Sequence, residues 1–128
     1  MARASDILKI LVGVHVLVVD HDPEARALLE SVLRYGGAFV AAVATAEEAL
    51  DFLRRTPVDV IVAEVLSPGK NGYWLVEQID GRIPVVALAA GPDEVPDRTL
   101  GSGFQAHMRK PVDPWELCRL VVGLVRKP

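Results

Sequence analysis

Cysteine is nearly absent. Cys118 stands alone in 128 residues, so the chain closes no disulfide within itself, and a reducing compartment suits it. An excess of basic charge is also missing. With 14 Lys and Arg against 17 Asp and Glu, the net charge is -3 and the pI about 5.6, the wrong sign for a nucleic-acid surface. No apolar run reaches the roughly 20 residues of a membrane span. The longest, ILKILVGVHVLVV from Ile7, resembles a signal-peptide core, but His15 interrupts it, Asp20 ends it, and no small-residue cleavage site follows. Its second half is expected to be a buried strand, and the protein is expected in the cytoplasm. The segment DHDPEA after that strand has neither a G-x-G-x-x-G loop nor a Walker lysine, which counts against a nucleotide-binding domain. Low-complexity tracts and internal repeats are missing too.

What is present fits one soluble domain: 51% hydrophobic and 24% charged residues on a length sufficient for a real core. VHVLVVD (14–20) is a short apolar run, rich in Val, that reads as a strand buried on both faces, and AFVAAVA (38–44), VDVIVAE (58–64), IPVVALAA (83–90) and FQAHMRK (104–110) read as four further strands. Between them lie helical patterns. PEARALLESVLRYGG (23–37) opens with Pro23 and Glu24 and stops at Gly36 and Gly37. TAEEALDFLRR carries a capping box, Thr45 with Glu48, and Pro57 ends it. NGYWLVEQI (71–79) is a short helix. The stretch 91–103, with its prolines and glycines, leaves room only for a short helix near Pro96. The final helix has Asp113 as its cap and Pro114 in its first turn. Five alternations of strand and helix predict an α/β fold: a five-stranded parallel sheet with helices on both faces and right-handed crossovers. In such sheets, sites gather at the carboxyl ends of the strands.

Charge collects at those ends. Asp20, His21 and Asp22 follow the first strand, Glu64 ends the third, and Lys110 ends the fifth, just before Pro111. The turn after Glu64 has the form E-x-x-x-P-G-x-x-G. With VVDHDP, EVLSPGKNG, ALAA and HMRKP in this order, residues 14–126 resemble the receiver domains of bacterial response regulators. The resemblance implies a flavodoxin-like (βα)5 fold, a role in two-component phosphorelay signalling, and partners such as a histidine kinase, an output domain or another adaptor.

The resemblance also implies a chemistry that several residues here do not match. A typical receiver attacks phosphorus with an Asp while Mg²⁺, a lysine and a hydroxyl hold the phosphoryl oxygens. Glu64 stands at the acceptor position, with roughly 1.3 Å of extra reach. His21 replaces the second acid of the pair, and imidazole suits transition metals better than Mg²⁺. Mg²⁺ binding is therefore expected to be weak or absent, with Asp20 and Glu64 the weak candidates, and a zinc site at His21 and Glu64 is a minor alternative. Ala89 stands where the switch hydroxyl would be, and His107 where the switch aromatic would be. Lys110 is retained and is expected to pair with Glu64 or Asp20.

No catalytic residue or cofactor is expected from this set. The sequence predicts a degenerate receiver-like adaptor, not an enzyme, that works by protein–protein contact, fixed in one state; a phosphomimetic state is a variant of that reading. The alternative is a working receiver phosphorylated at Glu64 or at a displaced acid such as Asp59, which sits at the wrong end of its strand. Neither nucleic acid nor membrane is an expected partner, and a homodimer is allowed. Residues 1–13 read as an N-terminal extension in which Ile7, Leu8, Ile10 and Leu11 have no obvious place in the core. Cys118 is expected to pack inside the last helix, and Trp74 to lie in the core.

Overall fold

The computed structural model describes residues 10–92 and 94–125. Five strands, β1 (His15–Val19), β2 (Phe39–Val43), β3 (Val60–Glu64), β4 (Val85–Ala89) and β5 (Ala106–Arg109), form one parallel sheet in the order β2-β1-β3-β4-β5. The helices are α1 (Pro23–Tyr35), α2 (Ala46–Arg55), α3 (Gly72–Ile79), α4 (Pro96–Gly101) and α5 (Pro114–Val125). Sheet order turns back at the boundary between β1 and β3, the place where a doubly wound sheet opens a crevice for a site.

The inner strands β1, β3 and β4 are buried on both faces, apart from His15, while the edge strands β2 and β5 are partly covered, so alternate residues of the inner strands feed two separate cores. Val16, Val18, Val60, Val62, Val86 and Leu88 point to the layer that holds α1 and α5, where they meet Leu29, Leu33, Leu117 and Val121. Leu17, Val19, Ile61, Ala63, Val85 and Ala87 point to the opposite layer, against Ala49, Leu75, Val76 and Ile79. Cys118 is fully buried in the first core, and burial pushes its thiol pKa up, in keeping with a packing role.

The helix ends follow their sequence signals. Asp22 caps α1 by accepting from the Glu24 N–H, and Gly37, at φ 99, supplies the left-handed turn after it. Thr45 and Glu48 close the capping box on α2, each side chain accepting from the other's backbone N–H. Asn71 accepts from the Tyr73 and Trp74 N–H groups at the start of α3. Asp113 accepts from the Glu116 N–H at the start of α5. α4 has only six residues and no side-chain cap, as its Pro- and Gly-rich surroundings suggest.

One expectation is corrected at the amino terminus. Leu11 is fully buried, its N–H donating to the Gly36 carbonyl, and Ile10 packs partly beside it. Gly36 leaves the room: a Cβ there would stand 2.9 Å from Leu11 Cδ1 and 3.2 Å from Cys118 Sγ. Ile7 and Leu8 lie outside the described residues. β5 is shorter than its apolar run, because Phe104 turns into the core on the α3 side.

Candidate functional site

Register places the charged residues. Val19 pairs with Ala63, so Asp20 and Glu64 leave the sheet side by side at its carboxyl edge. Ala89 pairs with Arg109, and the Lys110 N–H donates to the Ala89 carbonyl at 2.8 Å, which sets Lys110 at the same edge. Its side chain reaches over to β1, where Nζ donates to Asp20 Oδ2 at 2.7 Å. Asp20 is fully buried; its Oδ1 accepts from the Asp22 N–H at 3.0 Å, and Arg26 donates to its backbone carbonyl at 2.9 Å. Of the two partners expected for Lys110, the structure selects Asp20.

Glu64 has a different partner. Its Oε1 accepts from the His21 N–H at 2.8 Å and lies 2.6 Å from His21 Nδ1. The carboxyl is 6% exposed, whereas the His21 side chain is half exposed. Burial raises the Glu64 pKa above its ordinary value, the Asp20 charge adds to that, and the contacts with His21 oppose it. The main chain beneath Glu64 is packed tightly as well. A Cβ on Gly72 would stand 2.6 Å from the Glu64 carbonyl oxygen, so only glycine lets α3 begin this close to the end of β3. Asp22, expected near the acids, is exposed and spends its carboxylate on the cap of α1.

Beyond β4 the structure shows two residues that sequence reasoning missed. Ala89 is fully buried and brings only a methyl group. The next two amides, Ala90 N–H and Gly91 N–H, both donate to Oε2 of Glu94, a carboxylate that is 4% exposed. His107 Nδ1 is 2.8 Å from the hydroxyl of Thr99, which is fully buried and also lies 3.2 Å from the Pro96 carbonyl. That carbonyl can only accept, so the hydroxyl donates to it and accepts from a protonated Nδ1. Among the described residues, His107 Nε2 is buried and has no hydrogen-bond partner. The spacing of Glu94 after Ala90 was the only sequence signal for the first contact; Thr99 gave none.

Asp59 lies at the opposite edge, where its carboxylate accepts from the His15 N–H at 2.8 Å. Tyr73 and Trp74 are half buried against the α2–α3 core; Tyr73 meets the edge of Phe104, and Lys70 Nζ sits 4.6 Å above the Trp74 ring.

A sequence profile of the response regulator receiver domain matches residues 16–122. The chain belongs to this family. It is 37% identical over 120 residues to an uncharacterised 14.6 kDa protein of Leptolyngbya boryana, covering 89% of this chain and 92% of that one. It is 34% identical over 116 residues to the DNA-binding response regulator MtrA of Mycolicibacterium smegmatis, covering 88% of this chain and 50% of MtrA. The receiver domain thus spans nearly all of the first relative and half of the second. Among solved structures, the receiver domain of a sensor histidine kinase from Pseudomonas aeruginosa, which has a magnesium ion in its active-site cleft, superposes with a TM-score of 0.81 at 27% identity over 91% of this chain and all of that one. The doubly wound five-stranded fold is therefore that of a receiver, and the domain belongs to two-component signalling. Receiver domains are signalling modules that work with histidine kinases and output domains. Among the described residues, no helix is long and apolar enough to cross a membrane.

Proposed function

We propose that this receiver domain signals in one fixed state, through protein–protein contact in the cytoplasm, and does not depend on phosphorylation at residue 64. The observation that carries the reading is the double contact of Glu64 Oε1 with the backbone and ring of His21. A nucleophilic carboxylate must present an oxygen within about 3.5 Å of phosphorus and in line with the leaving group. Here the longer side chain is directed toward the turn after β1 and held there through Oε1.

The neighbouring parts support the same reading. Lys110 is engaged with Asp20, not Glu64, so among the described residues no lysine bridge to residue 64 imitates a charged acceptor. Ala89 has no hydroxyl to draw toward a phosphoryl group, the Ala90 amide is already bonded to Glu94, and Thr99 holds the His107 ring in place. Magnesium fits poorly. One member of the pocket, His21, brings nitrogen, whereas Mg²⁺ asks for oxygen ligands in a near-ideal octahedron. The partner surface then serves a kinase, an output domain or another adaptor without a covalent signal.

Incubation with acetyl phosphate and Mg²⁺, followed by intact-mass measurement, tests the proposal. The expected result is an unchanged mass. A stoichiometric acid-labile adduct that disappears in Glu64→Gln would overturn it in favour of a working receiver.

A further inference from the structure

Magnesium and this pocket are mismatched in a definite chemical direction. The donor atoms of Asp20, His21 and Glu64 lie within 4.8 Å of one another, and one of them is an imidazole nitrogen. Two carboxylate oxygens with one imidazole make a mixed N/O set, which binds borderline divalent ions far better than hard ones. Asp20 and Glu64 are both buried, with Lys110 and His21 as their present partners.

We propose that the pocket is a site for a divalent cation of the zinc class, held by a carboxylate oxygen of Asp20, Nδ1 of His21 and a carboxylate oxygen of Glu64, with solvent in the remaining position. Zinc bonds to nitrogen and oxygen are about 2.0–2.2 Å, and tetrahedral ligands then stand about 3.3 Å apart. His21 Nδ1 and Glu64 Oε1 are now 2.6 Å apart, so the ion takes the place of the hydrogen between them and the pair opens modestly. Three ligands with one open position is the pattern of a zinc site that is accessible to solvent. Binding requires an unprotonated Nδ1. In a neutral ring the proton moves to Nε2; in a charged ring one proton leaves to solvent. The half-exposed ring of His21 can do either.

The remaining contacts suit this role. Lys110 stays on Oδ2 of Asp20 and offsets one of the two ligand charges, and the His21 N–H steadies Glu64. Such outer partners orient ligands and tune affinity. The bound ion would fasten the β1–α1 turn to the end of β3, so this family fold would exchange a magnesium site for one of different selectivity.

The test is a titration of the full chain with Co²⁺, followed by its visible d–d absorption, with Zn²⁺ and Mg²⁺ as competitors. A stoichiometric band should form. Equimolar Zn²⁺ should displace it, while about a hundredfold excess of Mg²⁺ should not. His21→Ala should abolish the band, with the circular dichroism of the folded domain kept, because the side chain is half exposed. His21→Asp, an all-oxygen set, should narrow the preference for Zn²⁺ over Mg²⁺. Absence of a band in the parent protein, persistence of the band in His21→Ala, or displacement by Mg²⁺ as readily as by Zn²⁺ would each overturn the proposal. The acetyl phosphate experiment fails or succeeds independently of these outcomes.

Discussion

Replacement of Lys110 by Met tests the electrostatics of the rim most directly. Lys110 Nζ is 2.7 Å from Oδ2 of Asp20, and Asp20 is fully buried. Lys110→Met keeps most of the aliphatic stem and removes the ammonium group. Removal of one partner of a buried ion pair costs about 3–5 kcal/mol, because the other charge is left without compensation. Two features lower the figure here. The Asp22 N–H still donates to Asp20 Oδ1, and the Lys110 side chain is 25% exposed, so water can reach part of the gap. A loss of about 2–3 kcal/mol follows. For a chain of this length that corresponds to roughly 6–15 °C in Tm. Urea unfolding should report the loss, and the same substitution in an Asp20→Asn background should cost much less, because no charge is then stranded. A loss below about 0.5 kcal/mol, the range of exposed pairs, or equal losses in both backgrounds would refute the reasoning.

Three other substitutions give further tests. Glu64 has a raised pKa in the folded state, so the native protein binds a proton more readily than the unfolded chain. Its contribution is fully present below the ordinary value of 4.5 and is lost as pH rises through the raised value. Glu64→Gln should therefore gain on the parent in urea midpoint as pH rises from about 5 toward 8; parallel pH profiles for the two proteins would count against a costly buried charge. Gly72→Ala should destabilise by about 1–3 kcal/mol, since its Cβ would meet the Glu64 carbonyl at 2.6 Å. Gly123→Ala in α5, which faces open space, should stabilise by about 0.5–1 kcal/mol, and thermal melts of the two variants should move in opposite directions.

Most of the fold was legible because each element carried its own signal. Val-rich strands, the Thr45–Glu48 box, Asn71, Asp113 and the glycines after α1 all act within a few residues, where local chemistry decides the outcome. The site was legible in part. The strand-end rule brought Asp20, Glu64 and Lys110 to one edge, but the choice of partner for Lys110 depends on side-chain reach across two intervening strands, which no local pattern encodes. Leu11 was misjudged because its place depends on the small size of Gly36, 25 residues away, which the sequence does not connect to it. Glu94 and Thr99 were missed because the Pro- and Gly-rich loop hid which of its polar residues turn inward.

The carboxylate of Glu94 has one more consequence. An incoming phosphate or acidic side chain that sought the Ala90 and Gly91 amides would find an intramolecular rival already seated, tethered by three residues and hence at a high effective concentration. Free anions in the millimolar range are poor competitors against such a tether, so the β4 exit is closed to anions from outside until the loop itself unfolds.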